Sequence, residues 1–437
     1  MPAVLNLNPQ DVDSNEKRSK YTVGIVGCGQ RGIFYANAFA DAGFKVVCVD
    51  ADPSVTKKVA KGKTPNSPPE AETKLKRHIT TGTITVSGDI KKTVSQSDIV
   101  TITITVKVDE QKKPDTSQVV SACKQVGAAL KQGLLVVYGG AAAFGFMENT
   151  IKETLENTSG LKTGRDFGLA YSPLLGVQKD YVSVVAAADS PSLNAAVTVL
   201  GTIMKNVKMV RDFKIAEVIT LFTIAKQDVN MALANELAVL CENANLDYFE
   251  VLKHLDTGDH AFYPSIADTE NKQEAYLLLD SAENINARLR LPVLARQTNE
   301  EMLKHAVSLT QDALRNGDKA FRRARVAVFG PANEGSDTET FIRMIEQKGA
   351  KVTVYDPSAK KAALYSRAIK SSLNEAVEGV DCIVIFSAKE QFNHLNLKKL
   401  KALMKSPSVI VDLAGKFTPE QVKTEGFIYR GLGRGTG

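Results

Sequence analysis

The chain has 437 residues, 43% hydrophobic and 24% charged, a globular composition too long for one core and suited to two or three domains. Its 55 basic and 49 acidic residues leave a formal charge of +6, spread without aromatic-interleaved basic stretches, so small anionic ligands are expected and a specific nucleic-acid partner is not. Five scattered cysteines (Cys28, Cys48, Cys123, Cys241, Cys382) show no metal-ligand spacing, which argues against zinc, any other metal site and disulfides.

The first 20 residues, "MPAVLNLNPQDVDSNEKRSK", are polar and lack the apolar core of a secretion signal. No apolar run in the chain reaches the roughly 18 residues a membrane helix needs. A cytoplasmic protein without membrane association is expected, with residues 1–20 a flexible tail.

From residue 21 the order is strand, glycine turn, helix, strand, acid: "YTVGIVGCGQRGIFYANAFADAGFKVVCVD". Gly27, Gly29 and Gly32 form G-x-G-x-x-G directly between a strand and a helix. The first glycine permits a tight turn, the second lets backbone approach a pyrophosphate, and the third lets helix and strand pack closely, so a side chain at any of them should clash. Gln30 and Arg31 complete the loop; Arg31 either adds charge near the pyrophosphate or points into solvent. Asp50 ends the second strand 18 residues beyond Gly32, where a carboxylate accepts hydrogen bonds from the adenosine ribose and opposes a 2′-phosphate. The expected cofactor is therefore NAD, bound by Gly27, Gly29, Gln30, Arg31, Gly32 and Asp50.

Further β-branched runs at 97–106, 133–140 and 166–173, separated by helical or polar segments, predict a parallel sheet covered on both faces. The N-terminal Rossmann domain then spans 21–205. Between 206 and 322 apolar residues recur at helical spacing for much longer than an average helix, predicting a long central helix followed by others. Its apolar surface (Ile219, Phe222, Val229, Leu233, Leu237, Leu240) either meets a second subunit, making a homodimer or higher homo-oligomer, or packs between the end domains.

Residues 323–437 repeat the first pattern in "ARVAVFGPANEGSDTETFIRMIEQKGAKVTVYDP", with strands at 380–388 and 407–415. This unit has Gly330 and Asp356 but no G-x-G-x-x-G, so a second ligand site or an interface is expected there, not another dinucleotide. The last few residues are expected to be mobile. The fold class is α/β, two Rossmann-like doubly wound sheets joined by a central helical domain.

The chain resembles the nucleotide-sugar 6-dehydrogenases, the group containing the UDP-glucose and UDP-N-acetylmannosamine dehydrogenases. The resemblance rests on "VGIVGCGQRG", "VDEQKKPDTSQV", "SGLKTGRDFGLAYSP", "DVNMALANELAVLCENANLD" and "IYRGLGRG", in that order. It implies an N-terminal NAD domain, a dimer-forming helical domain and a C-terminal nucleotide-sugar domain. It also implies oxidation of a sugar C6 alcohol to a carboxylate with two NAD, through a cysteine-bound thiohemiacetal and thioester.

The residues that carry this chemistry in the family are replaced. The segment expected to hold the cysteine, "GDHAFYPSIADTENKQEAYLLLD", has none, and aligning the following tyrosine with Tyr276 puts the position near Glu270. The lysine and asparagine positions of the central helix are Thr220 and Ile224, and the glutamate after "YSP" is Leu174. The serine and threonine after the 133–138 strand are Gly140 and Ala141, and the threonine of the "PTPVDE" loop is Val106. The basic residues of the C-terminal K-x-x-x-D-D-x-R loop have no match in "GPANEGSDTETF". His254 and His260 flank "LDTGD" near the lost site, where a histidine either serves as base for a two-electron hydride transfer or sits exposed at a helix end; Glu270 and Lys226 lie nearby without an assigned role, and the cysteines read as small buried residues. Two readings follow: an NAD-binding family member that has lost the cysteine-dependent oxidation, or an oxidoreductase performing another, two-electron reaction on a UDP-sugar or other alcohol.

Overall fold

A computed structural model describes residues 4–64, 69–174, 182–255, 262–266, 273–330, 336–356, 369–386 and 395–435. They gather into two compact units, Met1–Ala225 with Glu270–Arg288, and Lys226–Thr269 with Leu289–Gly437. The helical segment expected at 206–322 is thus shared out between the two units.

The first unit is built on an eight-stranded sheet: Thr22–Val26 (β1), Lys45–Val49 (β2), Ile84–Ser87 (β3), Ile99–Ile102 (β4), Leu135–Tyr138 (β5), Gly168–Tyr171 (β6), Val182–Ala187 (β7) and Asn206–Met209 (β8), in the order β8-β7-β6-β5-β4-β1-β2-β3. All neighbours are parallel except β6 and β7. Both faces are buried: Val23, Ile25 and Ile99 point to one side while Val26, Val100 and Ile102 point to the other, all fully buried. That accounts for near-continuous apolar strands. The register aligns Val49, Val26, Ile102, Tyr138 and Tyr171 in one row at the carboxyl edge. Strand order reverses between β1 and β4, and in open sheets of this kind ligands bind at that edge and that reversal.

The expected flexible tail is part of this unit. Residues 4–18 form short helical turns, Leu7 and Val12 join the core, and Arg18 donates to the Val12 and Ala42 carbonyls. Two apolar side chains in an otherwise polar stretch give too weak a pattern to be read from sequence.

The second unit carries six parallel strands: Arg325–Phe329 (β9), Lys351–Tyr355 (β10), Ile369–Lys370 (β11), Cys382–Ile385 (β12), Val409–Asp412 (β13) and Ile428–Gly431 (β14), ordered β11-β10-β9-β12-β13-β14. Val326, Val328 and Val384 pack into one core and Ala327, Phe329 and Ile383 into another, so this sheet too is covered on both faces. The segment up to Gly435 is held in place: Gly435 donates to the Leu246 carbonyl, Gly433 to Glu242, and Arg434 pairs with Asp247. The closing glycines serve this packing, contrary to the mobility expected of them.

Five helices matter for the site: Gln30–Asp41 (α1), Phe213–Asn243 (α2), Ala275–Asn284 (α3), Arg290–Arg315 (α4) and Asp337–Gln347 (α5).

Candidate functional site

The turn leaving β1 is fixed by its own backbone. Gly27 has φ +100°, and a Cβ there would lie 2.9 Å from Ile104 Cγ1. Gly32 is more constrained, with a Cβ falling 1.9 Å from the Gly27 carbonyl oxygen, which also accepts a 2.8 Å bond from the Thr103 hydroxyl. These two glycines hold strand and helix together, as expected.

Gly29 departs from expectation. It is exposed at the N-cap of α1 with φ −68°, and a Cβ built there meets nothing within 4 Å. Among the described residues no protein atom accounts for a glycine here. What remains is the use the loop serves in dinucleotide folds, open space at a helix N-terminus into which a pyrophosphate fits. Gln30, the first residue of α1, is half-buried beside it.

Asp50 is half-buried just beyond β2. One carboxylate oxygen accepts from the Cys28 amide at 2.7 Å and the other from the Asp52 amide at 2.9 Å. A carboxylate has about four acceptor positions, so capacity for a ribose remains. Asp50 therefore also pins the glycine turn to the second strand, a role its spacing did not reveal.

Arg31 takes neither of its two expected orientations. Its side chain is 5% exposed and forms a 2.5 Å ion pair with Glu274, itself 3% exposed, from just before α3. Glu274 is 243 positions away in sequence, so no local pattern announces it.

The positions that the resemblance assigns to catalysis are buried and without charge: Ala141, Leu174, Thr220 and Ile224 are each about 1% exposed, and Val106 is buried. Thr220 accepts from the Tyr171 hydroxyl at 3.3 Å and donates back to the Ala216 carbonyl at 2.7 Å. The Tyr171 and Tyr138 rings stack with centroids 6.1 Å apart, and Phe146 packs on Tyr138. A Cβ at Gly140 would lie 2.7 Å from the Tyr138 hydroxyl. Aromatic rings and small residues therefore fill the carboxyl end of β5 and β6.

One ionisable group in this region escaped sequence reading. Glu217 of α2 is fully buried and accepts from the Gly145 and Met147 amides at 2.7 and 2.8 Å. Burial, helped by Glu148, pushes its carboxyl up to about 7, against the pull of those amides and of Lys214. An acid on the same helix face as Phe213, Leu221 and Ile224 was the available signal.

The five cysteines offer no exposed thiol. All are buried, and burial pushes Cys123 up to about 12, leaving little thiolate at neutral pH. His254 is exposed, 3.6 Å from Glu250, and Lys226 is exposed. Glu270 and His260 lie outside the described residues.

In the second unit, α5 begins with a Ser336 cap, followed by the buried acids Asp337 and Glu339; Glu339 pairs with Arg343 at 2.6 Å. Negative charge in the first helical turn is favourable to the helix dipole. Asp356 is buried after β10, and Gly330 closes β9.

Two Rossmann-like sheets, one with a complete glycine turn and helix N-terminus at its strand-order reversal, define a dinucleotide-binding protein. The chain belongs to the UDP-glucose/GDP-mannose dehydrogenase family: profiles of its NAD binding domain and UDP binding domain match residues 21–179 and 334–419, together more than half the chain. It is similar to the UDP-N-acetyl-D-mannosamine dehydrogenase of Pyrococcus horikoshii, 28% identical with 94% of this chain and 99% of that protein covered. It is 24% identical to the UDP-glucose 6-dehydrogenase of Rhizobium meliloti over 94% of this chain and 99% of that one. The solved structure of the Pyrococcus horikoshii UDP-D-ManNAc dehydrogenase superposes with a TM-score of 0.79 at 26% identity, covering 95% of this chain and 100% of that one. A Pyrobaculum islandicum UDP-glucose dehydrogenase shares the fold at TM-score 0.78 and 20% identity, over 95% and 98% of the two chains. The cofactor of the first domain is NAD.

Proposed function

We propose that this chain is an NAD-binding member of its family that has lost the cysteine-dependent oxidation of a UDP-sugar C6 alcohol to a uronate. NAD, when bound, would supply a hydride acceptor; Gly29 would leave room for its pyrophosphate, and Asp50 would accept from its adenosine ribose. The observation that carries the reading is the character of Ala141, Leu174, Thr220 and Ile224: all are buried, three are aliphatic, and the Thr220 hydroxyl is already donated to the Ala216 carbonyl. Losing one catalytic group costs a few kcal/mol of transition-state stabilisation, and losing the set removes the covalent route. The absence from "GPANEGSDTETF" of the basic residues of the K-x-x-x-D-D-x-R loop adds support, because it weakens the case for a tightly held nucleotide-sugar ligand.

The intact glycine turn favours a second reading, an oxidoreductase carrying out a two-electron reaction on a UDP-sugar or another alcohol, since a cofactor cradle is of use where hydride transfer persists. Incubation with NAD and a panel of UDP-sugars, followed by mass spectrometry, separates the two. Unchanged sugars support lost catalysis, an aldehyde supports the second reading, and a uronate overturns the first.

The same reading makes the protein a partner, sensor or assembly subunit in the cytoplasm, working as a homodimer or higher homo-oligomer. Ile215, Phe222, Leu233 and Leu240, 42%, 64%, 45% and 60% exposed along α2, support that assembly. Among the described residues no helix is long and apolar enough to cross a membrane.

A further inference from the structure

The two halves of the dinucleotide crevice differ. On the adenosine side, over β1 and β2, Gly29 faces open space and Asp50 keeps acceptor capacity. On the other side of the strand-order reversal, over β4 and β5, the nicotinamide nucleotide of a dinucleotide has to run. There a Cβ at Gly139 would lie 3.0 Å from the Tyr35 ring, and one at Gly140 would lie 3.0 Å from the Ile104 carbonyl oxygen. The Tyr35 and Tyr138 side chains are fully buried, and so, nearly, is the Arg31–Glu274 pair.

Helix α3 is tied to this side by contacts along its length. Glu274 anchors its start to Arg31, in the glycine loop. The Ser281 hydroxyl accepts from the Phe144 amide at 3.1 Å, in the segment after β5. Lys113, after β4, reaches Glu283 at 2.5 Å and Asp280 at 3.5 Å, and the Lys112 ammonium lies 5.5 Å from the centre of the Tyr276 ring. One helix thus ties together three loops that leave the carboxyl edge of the sheet. The other Glu274 oxygen is buried and has no hydrogen-bond partner among the described residues, so this carboxylate is held in place by Arg31 against its own desolvation.

We propose that α3, pinned by the Arg31–Glu274 pair, is a latch over the nicotinamide half of the crevice, and that the latched protein is a receptor for the ADP moiety that takes ADP-ribose as readily as NAD. This rests on the NAD domain already described and adds what the site reads. The nicotinamide half of NAD gains contacts only when the latch opens. A latch closed about nine-tenths of the time withholds about tenfold of the affinity those contacts offer.

The test is calorimetric titration of the full-length protein with NAD, ADP-ribose and nicotinamide mononucleotide. The latch predicts equal dissociation constants for NAD and ADP-ribose, within about threefold, and no binding of the mononucleotide. Glu274→Gln removes the charge that holds Arg31. Because a buried ion is then left without its partner, Lys113→Ala gives a second opening from the surface, and thermal melting reports whether each variant is folded. In both variants NAD binding should tighten by up to about tenfold while ADP-ribose binding stays unchanged. NAD binding at least tenfold tighter than ADP-ribose in the unaltered protein, or equal effects of Lys113→Ala on both ligands, overturns the latch and leaves the NAD site standing. Failure of both ligands to bind overturns the latch and the NAD site together.

Discussion

Gly29 and Gly32 lie three residues apart in one motif, and the structure gives them opposite jobs that a pair of alanine substitutions separates. At Gly29 the backbone is extended, φ −68° and ψ −172°, a conformation alanine adopts without strain, and the new methyl meets no protein atom within 4 Å. Alanine restricts the unfolded chain, which stabilises by about 0.4–1 kcal/mol, and is a poorer N-cap than glycine by a similar amount, so the net change in stability is within about 0.5 kcal/mol. At Gly32 the added carbon falls 1.9 Å from the Gly27 carbonyl oxygen, so the backbone itself has to move, costing on the order of 3 kcal/mol or more. If the space above Gly29 is for a pyrophosphate, the same methyl lowers NAD affinity by about tenfold or more, at least about 1.4 kcal/mol. Thermal melting and NAD titration of the two variants read both effects. Gly29→Ala should melt with the parent protein and bind NAD poorly, and Gly32→Ala should melt early. A Gly29→Ala protein that binds NAD as the parent does refutes the assignment of that space.

Asp50→Ala removes the ribose acceptor and frees the Cys28 amide it holds at 2.7 Å, so NAD titration should weaken by roughly tenfold while circular dichroism shows a folded protein destabilised by about 1–2 kcal/mol. Glu217 carries a pH signature: its folded value near 7 is above the roughly 4.5 of an unfolded chain, so its contribution is fully present below that lower value and is lost as pH rises through 7. Urea unfolding should show a loss on the order of 2–3 kcal/mol between pH 5 and pH 8 that Glu217→Gln largely abolishes; an unaltered pH slope in the variant rules out this residue as its source. Phe222→Glu with Leu240→Glu places charges on the exposed stripe of α2, so light scattering should report a smaller assembly with an intact far-ultraviolet spectrum, and an unchanged mass would remove the stripe from the subunit interface.

What could be read in the sequence was what local chemistry dictates. The turn at Gly27 to Gly32, the acid at Asp50 and the apolar strands each depend on neighbours a few residues away or on a period of two, and each lies in the structure where those patterns put it. The long helix was visible for the same reason. The fate of Arg31 was not, because its partner is 243 positions distant and sits in a polar segment without periodicity. Gly29 and Gly32 look alike in a motif, and only the surrounding atoms distinguish a glycine needed by the fold from one the fold leaves open. Leu7 and Val12 were hidden by the polar residues around them, and the closing "GLGRG" by its resemblance to a frayed end. At the positions the resemblance assigns to catalysis the sequence supplied identities, and the structure added that Ala141, Leu174, Thr220 and Ile224 are buried, with Thr220 already satisfied by Tyr171 and Ala216.

Under the proposed function the cofactor is kept and the chemistry is gone. One sample tests it: protein first shown by titration to be saturated with NAD is mixed with UDP-glucose and UDP-N-acetylmannosamine, and the absorbance of NADH is followed over many hours. A flat trace is expected from a protein that holds its NAD. Steady NADH formation, two for each sugar consumed, would contradict it.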